Sequence, residues 1–135
     1  MTIHEAADRW ARTWERGWMD RDVAAIVALY SDAVVYSSEP FRERYLGLAG
    51  VRKYVGQALA DEERIEAVYG RPVVGDQGAS IAWWATLLES GEEITLAGTS
   101  NLLFDAEGLV IEQWDTWNQA AGTFEPSGWP FGGRK

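Results

Sequence analysis

The first eighteen or so residues carry apolar side chains at three- and four-residue spacing. Ile3, Ala6, Ala7, Trp10, Ala11 and Trp14 fall on one stripe, which predicts an amphipathic helix with that stripe against a core. Thr2 followed by Glu5 has the capping-box spacing that starts such a helix, and Gly17 is placed to end it. A second helix is predicted from about Asp20, with Asp20 or Asp22 near its start and Val23, Ile26, Val27 and Tyr30 inward. "DAVVYSS" reads as a short strand. "SEPFRERYLGLAG" interrupts regular structure through Pro40 and two glycines. Val51, Tyr54, Val55, Ala58 and Leu59 then mark a third helix.

From Glu63 onward the period changes from 3.6 to two. "RIEAVYGRPVV", "ASIAWWATLLE", "EITLAGTSNLLFD" and "LVIEQWDTWN" read as strands joined by the turns "GDQG", "SGEE" and "DAEG". Pro72 points to an edge or a bulge, and Gly98 to a bend or bulge in the third of these strands. Three helices and a strand, then a four-stranded antiparallel meander, make an α+β domain with helices on one side of a long sheet. If that sheet curls around the helices, it leaves a concave cavity, the usual place for a small ligand. The whole chain, 1–135, is read as one domain with its core at about 5–118. Residues 119–135 form an irregular Pro- and Gly-rich tail from which Trp129 and Phe131 could pack back on the body.

Composition narrows the chemistry. The formal net charge is −9, from 12 basic and 21 acidic side chains. That balance argues against nucleic acid and anionic membranes as partners. No apolar run is long enough to span a bilayer, and the N-terminus lacks a basic patch followed by an apolar stretch. Without cysteine there is no disulfide framework, thiolate nucleophile or thiolate metal site, in keeping with a cytoplasmic protein. A single histidine, His4, makes neither a multi-histidine metal site nor a Ser-His-Asp arrangement. Carboxylates, hydroxyls, amides and the rings of eight tryptophans are what is left to act with.

Three strings, "DRDVAAIVALYSDAVVY", "YLGLAGVRKYV" and "LLFDAEGLVIEQWDTWN", resemble the SnoaL-like branch of the nuclear transport factor 2 (NTF2) superfamily. The resemblance spans roughly residues 5–118. It implies an NTF2-like cone, with three N-terminal helices in the concave face of a strongly curved, mainly antiparallel sheet. Relatives include ketosteroid isomerases, polyketide cyclases, limonene-type epoxide hydrolases, dehydratases and proteins that only bind or dimerise, so the site must carry the function. The isomerase register puts the general-base position on Ser37, the oxyanion-holding acid on Ser100 and the helix-1 tyrosine on Trp14, so the usual isomerase groups are missing. The Asp-Arg-Asp set of the hydrolases is not matched in full. The cyclases place a cavity-facing aspartate after a Glu-x-Trp pattern, and "EQWD" puts Asp115 there.

Strand alternation sets Leu109, Ile111, Gln113, Asp115 and Trp117 on one face and Val110, Glu112, Trp114, Thr116 and Asn118 on the other. The resemblance implies that the first set faces the cavity. On such a face desolvation would raise the Asp115 pKa toward the range of a general acid or base. The competing reading makes Asp115 a structural group paired with Arg42, Arg44 or a backbone amide. Gln113 is its companion, able to orient a substrate carbonyl or to serve as a satisfied core amide. Ser100 and Tyr36 offer hydroxyls, while Ser37 and Ser38 suit a strand end or turn. Glu39, in the loop at the cavity mouth, is the rival base. Arg42 could hold an anionic group or pair with Glu39 or Glu43.

Trp14, Trp117 and one of the adjacent pair Trp83 and Trp84, with Trp83 the candidate, would wall a flat aromatic pocket, with Leu102 beside them. Such a pocket suits polycyclic or aromatic ligands. Trp114 and the outward member of the pair mark an outer sheet face through which a homodimer could form. The expected function is a cofactor-independent acid/base enzyme on a hydrophobic, cyclic small molecule, with Asp115 as general acid/base and Gln113, Ser100 and Tyr36 holding the oxygen that gains charge. The alternatives are a non-catalytic small-molecule-binding or dimerisation module and a limonene-type epoxide hydrolase.

Overall fold

Thr2 opens the first helix as its sequence spacing predicts. In the computed structural model, which describes residues 1–132, the Thr2 hydroxyl accepts from the Glu5 amide at 3.0 Å. The Glu5 carboxylate accepts in turn from the Thr2 amide at 2.8 Å. The helix α1 (Ile3–Asp20) runs past Gly17 and ends at Arg21, whose φ is 56° in the left-handed region. Gly17 is therefore not the terminator. A Cβ there would lie 2.8 Å from Ile26 Cγ1, so the glycine lets the next helix close against the first. That helix, α2 (Val23–Val27), is one short turn capped by the Asp22 side chain on the Ala25 amide at 3.0 Å. Tyr30 does not belong to it: strand β1 (Tyr30–Ser37) begins there, two residues earlier than the apolar pattern suggested.

After a short strand β2 (Tyr45–Leu46), helix α3 (Gly47–Ala60) leads into β3 (Glu62–Tyr69). The expected single strand through Val74 is broken at Gly70–Pro72, leaving β4 (Val73–Val74) as a separate stub on β5 (Gly78–Glu89). Strands β6 (Glu92–Phe104) and β7 (Val110–Ala121) complete the set. The tail thus starts later than expected, because Gln119, Ala120 and Ala121 pair with Leu96, Thr95 and Ile94.

The seven-stranded, unclosed curved sheet has the order β2-β1-β7-β6-β5-β3, with β4 off the path on β5. All neighbours are antiparallel except β1 and β7. Helix α1 packs on β3 and β5 and α3 on β1, so the helices fill the inner face. Gly98 causes no register shift. It pairs with Trp117, and a Cβ there would lie 2.9 Å from Trp117 Cα, so it permits a close approach. The bulge lies instead at the start of β7, where Leu103 pairs with Glu112 and Phe104 with Val110, leaving Ile111 over. That extra residue turns Val110 into the core and Ile111 outward, reversing the expected parity of both.

Beyond β7 the chain crosses the outer face of the sheet. The Trp84 indole N–H donates to the Phe124 carbonyl at 2.7 Å, and Phe131 meets the Trp84 ring edge-on. Trp129 is exposed. No helix among the described residues is long and apolar enough to cross a membrane.

Candidate active site

Between the helices and the inner face of the sheet lies a cavity of about 300 Å³, walled mainly by tryptophan and tyrosine rings. Register brings its polar groups together. Tyr36 on β1 pairs with Gln113 on β7, and Ser100 on β6 pairs with Asp115. Asp115 therefore has a tyrosine from one neighbouring strand and a serine from the other. It is 5% exposed, and that small opening is onto the cavity.

Every partner of this carboxylate is a donor. The Gln113 amide Nε2 donates to Oδ1 at 3.0 Å, the Tyr36 phenol donates to Oδ2 at 3.2 Å, and the Ser100 hydroxyl also bonds it. Behind Gln113 and Ser100 stand indoles, which donate and never accept. Trp10 and Trp14 give their N–H groups to the Tyr30 oxygen at 3.2 and 2.9 Å. With both lone pairs taken, Tyr30 directs its own proton to Gln113 Oε1 at 2.6 Å. The amide must then present Nε2 to Asp115. On the other side the Trp83 N–H donates to the Ser100 oxygen at 3.0 Å, leaving the serine proton for Asp115. Burial pushes the Asp115 carboxyl up to about 6, while the bonds from Ser100, Gln113 and Tyr36 work against that rise. The Tyr36 and Tyr30 phenols are held above their ordinary pKa by burial first.

Of the residues singled out in the sequence, Asp115, Gln113, Ser100, Tyr36, Trp14, Trp83 and Trp117 meet at this cavity. Trp83 is the inner member of its pair, as period-two geometry requires of one of them. Trp117 closes part of the wall through a 2.8 Å bond from its N–H to the Ser38 carbonyl. Glu39 and Arg42 sit at the rim as an ion pair with each other. Leu102 does not line the cavity. It is buried beside Gln113 on β6, one step further into the packed end of the core. Neither Arg42 nor Arg44 bonds Asp115.

Two residues of the candidate site, Tyr30 behind Gln113 and Glu62 on the wall, carry no sequence signal for that place. The apolar spacing puts Tyr30 on the inward face of a helix, and its strand position shows only in the register with Val110. Glu62 lies at the junction of α3 and β3, where a register irregularity removes any period-two signal. It is buried, lines the cavity and accepts the Trp18 N–H at 2.7 Å.

The chain matches the SnoaL-like domain family over residues 8–113 and belongs to that family. Its fold is shared with solved structures of low sequence identity. The RV0760c protein of Mycobacterium tuberculosis has a TM-score of 0.76 at 15% identity, covering 90% of this chain and 99% of its own. The epoxide hydrolase/cyclase-like enzyme SalBIII, of pyran ring formation in the polyether salinomycin, has a TM-score of 0.76 at 14% identity. The match covers 87% of this chain and 96% of SalBIII. An NTF2-like protein of unknown function from Exiguobacterium sp. 255-15 has a TM-score of 0.70 at 14% identity, covering 84% and 98%. No curated protein matches the chain at a significant level.

Proposed function

We propose that this chain is a cofactor-independent acid/base enzyme acting on a hydrophobic, cyclic small molecule, with Asp115 as the group that takes and returns a proton. The carrying observation is the donor-only surroundings of a buried carboxylate that opens on an aromatic cavity. Burial brings its pKa to about 6, and a carboxyl in that range exchanges protons efficiently near neutral pH. Gln113, Ser100 and Tyr36 act through Asp115 as positioning residues, since each spends a proton on it. The reaction class that follows is proton transfer beside a carbonyl, leading to isomerisation, cyclisation or dehydration. The cyclase members of the family and the cyclase-like structural neighbour lend weight to that class.

The test is turnover of a substrate found by screening cyclic ketones and polyketide-like lactones. Asp115→Asn should lower kcat by about 10²- to 10⁴-fold with KM little changed. Full activity in that variant overturns the assignment. A ligand taken up with tryptophan quenching and returned unchanged, whether or not Asp115 is present, makes the chain a binding module instead. For partners, we infer a homodimer through the outer sheet face, where Trp114 is 41% and Ile111 37% exposed.

A further inference from the structure

Glu62 gives the cavity a second buried carboxyl. It is 7% exposed, its Oε1 accepts the Trp18 N–H, and among the described residues no donor reaches Oε2. Trp18 stands one helical turn beyond Trp14, so α1 hangs the two carboxyl sites from successive turns: Trp14 through Tyr30 and Gln113 to Asp115, Trp18 directly to Glu62. The Tyr54 phenol feels the charge of both carboxylates and lines the same cavity.

The ionisable groups on the wall other than tyrosines are Glu39, Arg42, Glu62, Glu89 and Asp115. Arg42 is matched by Glu39, which leaves three carboxyls without a cation of their own. Arg21 lies near Glu62, but its guanidinium is turned to the Leu59 carbonyl at 2.8 Å and is outside the cavity wall. Around these carboxyls stand the rings of Trp14, Trp18, Trp83, Tyr54 and Tyr69. Aromatic faces attract cations, the more so where water is excluded. An anionic ligand would be repelled here, and a neutral one would leave Glu62 Oε2 without a partner.

We propose that the cavity selects a hydrophobic ligand bearing a protonated or quaternary nitrogen, held by Glu62 against the surrounding rings. This rests on the reading of the cavity as the ligand site and adds the charge of the ligand. It does not require turnover.

The experiment compares benzyltrimethylammonium with 2,2-dimethylpropylbenzene, two probes of the same shape that differ by one charge. Binding to the full chain is read by tryptophan quenching, and near-UV circular dichroism confirms that the Glu62→Gln variant folds. The wild type should bind the cation roughly tenfold more tightly than the hydrocarbon, and Glu62→Gln should remove most of that preference while leaving hydrocarbon binding within about twofold. Equal or tighter binding of the hydrocarbon overturns this proposal alone, as does a cation affinity unmoved by Glu62→Gln. Binding of neither probe overturns both this proposal and the cavity as a ligand site. Should the variant not fold, wild-type binding is followed from about pH 8 to about pH 5. Protonation of Glu62 and Asp115, both raised by burial, should weaken the cation and not the hydrocarbon. A flat response overturns the proposal.

Discussion

The Tyr30 phenol donates to Gln113 Oε1 at 2.6 Å, and this one bond decides which end of the amide faces Asp115. Tyr30 has no freedom to do otherwise, because Trp10 and Trp14 occupy both its lone pairs. Tyr30→Phe should therefore destabilise the fold by about 2–4 kcal/mol, as it strands two buried indole donors and an amide oxygen. Tyr36→Phe, which removes one donor from Asp115, should cost about 1–2 kcal/mol. Urea unfolding of the two variants checks the order. An equal or reversed pair of values contradicts the direction of the chain.

Asp115 should make the fold less stable as pH rises. Its carboxyl is raised from 3.8 to about 6 by burial. The native state therefore holds a proton that the unfolded chain has lost between about pH 4 and about pH 6. The stabilising contribution is complete below that window and gone above it. The gap corresponds to about 3 kcal/mol. Asp115→Asn should gain on the wild type by that amount between about pH 4 and about pH 7 in urea titrations. Comparing the two proteins cancels Glu62, whose raised pKa pulls in the same direction.

Activity should follow the same group with the opposite preference. If Asp115 starts the reaction as a base, kcat/KM rises with pH through about 6 and then levels. Tyr36→Phe removes a donor that favours the carboxylate, so the midpoint of that rise should move upward. A midpoint that stays put in the variant would show that another group controls the profile.

Gly98→Ala should destabilise the fold by about 1–3 kcal/mol, because the new methyl meets the Trp117 backbone at 2.9 Å rather than a flexible side-chain end. Trp117 should shift from the Ser38 carbonyl, and the change should appear as altered tryptophan emission at constant secondary structure.

Trp114→Glu places a charge on the outer face without touching the core, since Trp114 is 41% exposed. Light scattering should show a shift from dimer to monomer with unchanged thermal stability of the monomer fold. The tail covers Trp84. The surface left for the proposed homodimer therefore lies toward Trp114.

The inward parity of Gln113, Asp115 and Trp117 was legible in the sequence because a half-buried strand alternates strictly, and nothing interrupts β7 after Glu112. Trp83 and Trp84 divided between faces for the same reason. Val110 and Ile111 depart from strict alternation because a bulge inserts one residue without any Gly or Pro to mark it. Gly17 looked like a helix end, yet what it serves is the approach of Ile26, a tertiary contact with no local signature. Glu62 was invisible because its strand buries Glu62, Ile65 and Tyr69, a spacing of three and four that is foreign to an ideal strand. Leu102 shared the parity of the wall, but parity does not tell where along a strand the cavity gives way to packed core.

The indoles of Trp10, Trp14 and Trp83 have a consequence for isotopes. Groups that only donate cannot receive a proton travelling inward, so the chains behind Gln113 and Ser100 are closed at their far ends. The third donor, Tyr36, bonds Tyr54, which itself lines the cavity, so a deuteron lifted from a ligand onto Asp115 can leave only toward the cavity. In a rearrangement run in ordinary water, the label should return to the product, on the face from which it came, faster than it washes out into solvent.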